Sequence, residues 1–191
     1  MISGIMKGQR IYEDYAYVLD HLPQGYTLDF KILRRGESIV QVIGENYFIL
    51  LELIAKPEAA FSVGERVYIG KEGRNKISRV KRRISYNDLT SIARDNLPAI
   101  IEKIVEINEK KFVNFFNEAE AITTRLHALE LLPKIGKKLM WSIIEERKRE
   151  PFRSFQDIRE RIGIDARKVI IERILREISS NEKYYLFVKK T

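Results

Sequence analysis

From Ile11 to about residue 84, apolar positions come in short runs rich in Tyr, Val, Ile and Phe, cut by turn residues. Tyr12, Tyr15, Ala16, Tyr17, Val18 and Leu19 predict a first strand, closed by Pro23 and Gly25. Residues 38 to 43 and 47 to 54 predict two more, with Gly44-Glu45-Asn46 as the hairpin turn between them. Residues 66 to 69 predict a fourth strand, and the stretch from Gly70 to Gly73 leads into a fifth over 74 to 83. Strands this short and this closely spaced fit a small antiparallel barrel, because closure removes the edges they would otherwise expose. An OB-like barrel is the first expectation and an SH3-like barrel the second.

After Ile84 the apolar period changes to that of a helix. Ser85, with Asp88 three residues on, reads as a helix start and a domain boundary. Asn96 reads as the cap of a second helix with Pro98 in its first turn. Leu97, Ile100, Ile101, Ile104 and Val105 then form a buried stripe, which Phe112, Phe115, Phe116 and Ala119 continue. A helix is expected to end at Leu132. The connection Pro133-Lys134-Ile135-Gly136 leads into another helix carrying Leu139, Ile143 and Ile144, which stops before Pro151. Ser154 caps a helix with Phe155, Ile158 and Ile162; Gly163-Ile164-Asp165 makes a second short turn; Asp165 caps a last helix with Val169, Ile170, Ile174, Leu175 and Ile178. The two turns overlay on their isoleucines, Lys134-Ile135-Gly136 over Gly163-Ile164-Asp165, so helix, turn, helix occurs twice. Trp141, between Leu139 and Ile143, reads as core filling ahead of stacking on a base, and the stretch from Glu182 to Val188 is β-prone. The expected organisation is α+β: a barrel over 1–85, a helical connector packed on the C-terminal domain over 86–122, the duplicated helical unit over 123–180 and a β-prone tail over 181–191.

Composition narrows the chemistry. The chain has 191 residues and no cysteine, which excludes disulfides and thiolate metal sites and makes a cytoplasmic setting the default. His21 and His127 are the only histidines and stand far apart, so no metal cluster is expected. The longest apolar runs fall far short of the ~20 residues a membrane helix needs. The N-terminus carries no apolar stretch like a secretory leader. The net charge of +8 is uneven: residues 1–85 carry +4, residues 86–120 carry −3 and residues 121–191 carry +7. Two basic ends favour a polyanionic partner.

Two clusters could meet such a partner. In the first, Gly136 is followed by Lys137 and Lys138, so open amides at a helix start are backed by two ammonium groups, an arrangement suited to a phosphate. Many helix pairs joined by Pro and Gly hold no ligand, and that reading stays open here. In the second, Lys71, Arg74, Lys76, Arg79, Lys81, Arg82 and Arg83 crowd the fifth strand and its exit, where they would line a groove for single-stranded nucleic acid, with Tyr68 or Tyr47 offering a stacking face. Edge strands also carry charge simply to stay unpaired. Arg147, Lys148, Arg149 and Arg153 are a second backbone contact or a solvated helix end.

The stretch Leu132-Pro133-Lys134-Ile135-Gly136-Lys137-Lys138 resembles the helix-hairpin-helix motif, Leu-Pro-Gly-Ile-Gly followed by basic residues, with Lys134 at the first glycine. Residues 161 to 168 look like the degenerate partner of a tandem pair. The resemblance implies a sequence-independent grip on a nucleic-acid backbone by Lys134, Gly136, Lys137 and Lys138, with Arg167 and Lys168 adding charge. It implies no cofactor, although hairpin carbonyls in some members hold a monovalent cation. A barrel followed by tandem hairpins also resembles an uncharacterised archaeal family of predicted nucleotide-binding proteins associated with translation and transcription genes. That resemblance implies RNA slightly before DNA, and a ribosomal or transcription-related protein as a further partner.

The expected function is therefore a non-catalytic nucleic-acid-binding protein. A base-excision glycosylase or lyase is a second class, since Lys138 after the hairpin and Asp157 further on have a workable spacing, though Phe155-Gln156-Asp157-Ile158 lacks the Val-Asp-Thr-His context of those enzymes. A scaffold for an acidic protein is a third.

Overall fold

The computed structural model describes residues 12–25 and 37–189. The expected start of the strand region at Ile11 and the reading of the N-terminus as free of a leader lie outside the described residues. The chain divides into two compact units, one up to Arg94 with the residues from Val188, the other Asp95–Phe187.

The first unit is a curled antiparallel sheet of five strands: β1 (Tyr15–Leu22), β2 (Ile39–Gly44), β3 (Leu50–Ala55), β4 (Arg66–Tyr68) and β5 (Ile77–Arg83). Their order is β4-β1-β2-β3-β5. The first four stand in Greek-key order, in which a fourth strand returns to lie beside the first. Alternate residues of the strands, Ala16 and Val18, Val40 and Val42, Leu51 and Leu53, with Val67 and Ile77, share one apolar core. Register shifts in β1, and in β5 where it pairs with β3, bend the sheet around that core. The turn between β2 and β3 is longer than Gly44-Glu45-Asn46 alone, and the Glu13 carboxylate closes it by accepting the N–H groups of Asn46 at 3.0 Å and Tyr47 at 2.7 Å. Nothing within a strand pattern announces such a cap.

The opposite face of β1–β3 is also buried, and it carries polar groups: Gln41 and Glu52 are wholly buried and Asp20 nearly so. Their partners explain where the helices begin. Gln41 donates to the Asp88 carbonyl at 2.9 Å and accepts the Thr90 N–H at 2.9 Å, while the Thr90 hydroxyl donates to Asp20 at 2.7 Å and accepts the Ala93 N–H at 3.0 Å. Thr90 therefore caps α1 (Ser91–Ile107). Ser85 and Asp88 do pair, with the Ser85 N–H and hydroxyl both donating to the carboxylate, but they close only a 3₁₀ turn (Tyr86–Asp88). Asn96 does not cap a helix: α1 runs unbroken through Asn96 and Pro98. Burial of the Thr90 cap starts the helix earlier than the local signals do, and Pro98 leaves only the Arg94 carbonyl without its helical donor.

The second unit holds the rest of α1, then α2 (Glu109–Glu118), α3 (Lys137–Arg149), α4 (Phe155–Ile162) and α5 (Ala166–Ser179). A short hairpin of β6 (Ala121–Thr123) and β7 (Leu126–His127) follows α2, unforeseen in the sequence. The expected apolar stripes are inside: Leu97, Ile101, Ile104, Phe112, Phe116, Ile143, Ile158, Ile170 and Ile174 are all buried. The helix expected to end at Leu132 is a single 3₁₀ turn (Ala128–Leu131) whose N-terminus is capped by His127, Nδ1 accepting the Leu129 N–H at 3.1 Å. Burial, then the nearby Arg147 charge, hold the His127 imidazole below its usual pKa, which keeps Nδ1 free to accept. The tail is not a strand among residues 182 to 189. Glu177, wholly buried, accepts the Leu186 and Phe187 N–H groups at 2.7 and 3.0 Å, and the Phe187 ring packs edge-on against Phe112 and Phe115.

Candidate functional site

The connection at residues 132 to 136 is a tight turn. The Ile135 N–H donates to the Leu132 carbonyl at 3.3 Å, Pro133 stands second, and Lys134 stands third with φ +66°. Pro at the second position and positive φ at the third are the marks of a type II turn, where the third residue is normally glycine. Gly136 adopts ordinary extended backbone, φ −89° and ψ 179°, so the unusual geometry belongs to Lys134 and not to the glycine. In the second turn the equivalent residue, Gly163, has φ +82°. The two turns thus share their left-handed residue as well as their isoleucine, and Gly136 and Asp165 are the equivalent N-caps of α3 and α5.

Those caps make the two helix starts unlike. Asp165 accepts the Lys168 N–H at 3.0 Å, so a carboxylate already fills the N-terminus of α5. Gly136 offers no side chain, there is no acidic residue in the first turn of α3, and a Cβ built on Gly136 would meet nothing within 4 Å. No side chain caps the first-turn amides of α3, which stand beside exposed Lys137 and Lys138. Neither lysine has an ion-pair partner among the described residues. Lys134 reaches Glu172 on α5 at 3.4 Å, and Lys168, one turn earlier on α5, lies on the same face as Glu172. Arg167 points elsewhere, pairing with Glu106 and, at 3.8 Å, with Glu102. The structure thus gathers Lys134, Gly136, Lys137 and Lys138 by chain continuity, links Lys168 to them through α5, and separates Arg167.

A buried pair on α5 supports the turn from behind. Arg173 donates to Glu177 at 2.7 Å, to the Leu131 carbonyl at 3.1 Å and to the Tyr184 carbonyl at 2.5 Å, and both side chains are almost wholly buried. No sequence expectation singled out Arg173. Its only signal was an Arg and a Glu at i, i+4 flanked by isoleucines.

The strand-five cations are mostly occupied. Arg74 donates to the Ile69, Gly70 and Ser78 carbonyls, holding the loop before β5. Lys76 donates to the Ala60 carbonyl at 2.9 Å and to Glu65 at 2.5 Å, and Arg79 meets Glu37 at 2.9 Å. Lys81 at 3.8 Å and Arg82 at 2.8 and 3.1 Å converge on buried Glu52. Arg83 borders a groove of about 820 Å³ whose apolar wall includes Ile49, Leu51, Tyr68 and Val80. Tyr68 is there as expected; Tyr47 is half-buried against the sheet core instead.

Of the remaining basic residues, Arg147 donates to the Phe116 and Ala119 carbonyls at 2.9 and 2.8 Å, sealing the end of α2, and burial lowers its pKa from the usual value for arginine. Arg149 and Arg153 pair locally with Glu146 and Glu150, while Lys148 has no partner among the described residues. Asp157 accepts the Arg153 N–H at 2.9 Å and meets Arg161 at 3.3 Å, so it serves the start of α4. Trp141 is 57% exposed and does not fill the core. Among the described residues no three or more metal-ligating side chains cluster, and no helix is long and apolar enough to cross a membrane.

Comparison with known proteins places this architecture in one group. A family model described as a protein of unknown function, DUF655, matches residues 12–189. The uncharacterized protein MJ0038 of the archaeon Methanocaldococcus jannaschii is 51% identical over 180 residues, which span 93% of this chain and 81% of that one. The crystal structure of Af1531 from the archaeon Archaeoglobus fulgidus is similar with a TM-score of 0.85 and 49% identity, covering 93% of this chain and all of that one. Neither name assigns a ligand or an activity.

Proposed function

We propose that this chain, which belongs to the archaeal family DUF655, is a non-catalytic nucleic-acid-binding protein that grips the phosphate backbone with little regard to sequence. The observation that carries the reading is the unoccupied N-terminus of α3: Gly136 leaves its first amides open beside two unpaired lysines, whereas the equivalent start of α5 is closed by Asp165. An amide-lined start with free cations binds a phosphate oxygen, and that contact positions a strand without reading its bases. The shared left-handed residue of the two turns supports taking them as tandem helix-hairpin-helix motifs, one binding and one structural. The Greek-key order of the sheet supports an OB-like barrel, and its groove, with Tyr68 and Arg83 at the wall, suits a single strand, RNA slightly before DNA.

Filter binding of RNA and DNA oligonucleotides at rising salt tests the reading. Micromolar or tighter affinity at low salt, lost at least tenfold in Lys137→Glu with Lys138→Glu, is the expected result. No binding at low salt, or an unchanged affinity in the double variant, rules it out.

A further inference from the structure

Trp141 is the single tryptophan of the chain, and its helix pattern alone would bury it. It is instead 57% exposed. A lone apolar side chain on a surface needs no explanation; the neighbours of this one make it different. Lys137 and Lys138 precede it by four and three residues on α3 and Lys148 follows by seven, so helix geometry sets all of them along the same side. All are exposed, and none has an ion-pair partner among the described residues. Glu145 is the one carboxylate in that row. Elsewhere Arg66, Lys76, Arg79, Arg82, Arg153, Arg167 and Arg176 each meet a carboxylate, whereas Lys110, Arg125, Arg159 and Lys168 stand without an ion pair among the described residues, as the α3 lysines do.

An indole left bare between unpaired ammonium groups matches one ligand chemistry closely. A single-stranded nucleic acid brings a flat base and a charged phosphate together, and proteins that hold it combine aromatic platforms with cations along the backbone. The four residues from Lys137 to Trp141 span about 6 Å along the helix axis, so a base on the ring keeps its own phosphate within reach of the lysines. Bases closed in a duplex offer no such face except at an end or a bulge.

We infer that Trp141 is a stacking platform for an unpaired nucleobase, set beside the lysines of α3, and that it makes this surface prefer single-stranded to fully paired nucleic acid. The inference rests on the backbone-binding reading above and adds a base contact to it.

Because Trp141 is the only tryptophan, its emission reports this surface alone. The intact protein is titrated with a uridine oligonucleotide, an abasic oligonucleotide of equal length and a closed duplex hairpin, following both tryptophan emission and the anisotropy of a label on the nucleic acid. The uridine strand is expected to quench the emission and to bind roughly tenfold more tightly than the abasic strand. Trp141→Ala removes that tenfold advantage while leaving abasic binding unchanged, and Trp141→Phe keeps most of it. If all three ligands bind alike, emission stays constant and Trp141→Ala binds as the parent does, the platform is overturned and the backbone grip stands. If none binds at low salt, both readings fall together. Trp141 is mostly exposed, so Trp141→Ala should keep its fold, and far-ultraviolet circular dichroism checks that.

Discussion

Lys134 holds its backbone at φ +66°, a region that a side chain occupies at a cost of about 1–2 kcal/mol and glycine does not. Its neighbours over-determine it: Pro133 sets the turn, Ile135 is buried, and the ammonium group meets Glu172. Lys134→Gly should therefore relieve strain but also loosen the unfolded chain by a similar amount, leaving stability within about 0.5 kcal/mol. Lys134→Val, β-branched at the same φ, should lower it by about 1–2 kcal/mol. Urea denaturation of both variants checks this, and equal stability for the valine variant would contradict the turn geometry. In the sequence two residues were open to that role, Gly136 and Lys134, which stands at the first glycine of the helix-hairpin-helix motif. A glycine marks where special geometry is cheap, not where it occurs, and only the turn itself shows which residue bears it.

At the scale of elements, β5 and α3 are both basic and behave differently. β5 is an edge strand whose cations converge on carboxylates and carbonyls of its own unit, above all Arg82 on buried Glu52. Arg82→Ala removes the nearest ion-pair partner of that carboxylate, Lys81 standing farther off at 3.8 Å, and a loss of about 2–3 kcal/mol is expected in urea unfolding, with nucleic-acid affinity changed less than twofold. A large loss of affinity without loss of stability would return the strand-five cluster to the binding surface. On α3 the lysines face water without partners, which is what a ligand site requires. A sequence shows both clusters as equal runs of positive charge, because the glutamates that neutralise one of them lie as far as 30 or 42 residues away.

For the molecule as a whole, the net charge of +8 overstates the surface open to a polyanion. The free cations on α3 and α5 are Lys137, Lys138, Lys148 and Lys168 among the described residues. About four phosphate contacts on a single strand give a slope near −3 for log affinity against log salt. Engagement of the hairpin and strand-five cations together with Arg167 and Lys168 would give about −8. Binding measured from low to moderate salt separates the two, and a slope near −8 would mean that the ion pairs of β5 open on binding.

The order and type of the main elements were legible because burial shapes the apolar pattern: short runs in β1–β3, which are covered on both faces, and a period near 3.6 in α1, α2 and α5. The duplicated turn was legible because its isoleucine is a local requirement, whereas the left-handed backbone at Lys134 was not. Charge sign and the absence of cysteine were likewise properties of the chain itself. What lay beyond reach depended on groups distant in sequence: Thr90 capping α1 through Asp20 and Gln41, Arg173 bracing the turn at Leu131, Arg82 given to Glu52, and Trp141 left in solvent. A hydrogen bond or an ion pair is made where two groups meet in space, so the sequence determined which cations and caps exist, and the tertiary structure decided which of them remain free to hold a ligand.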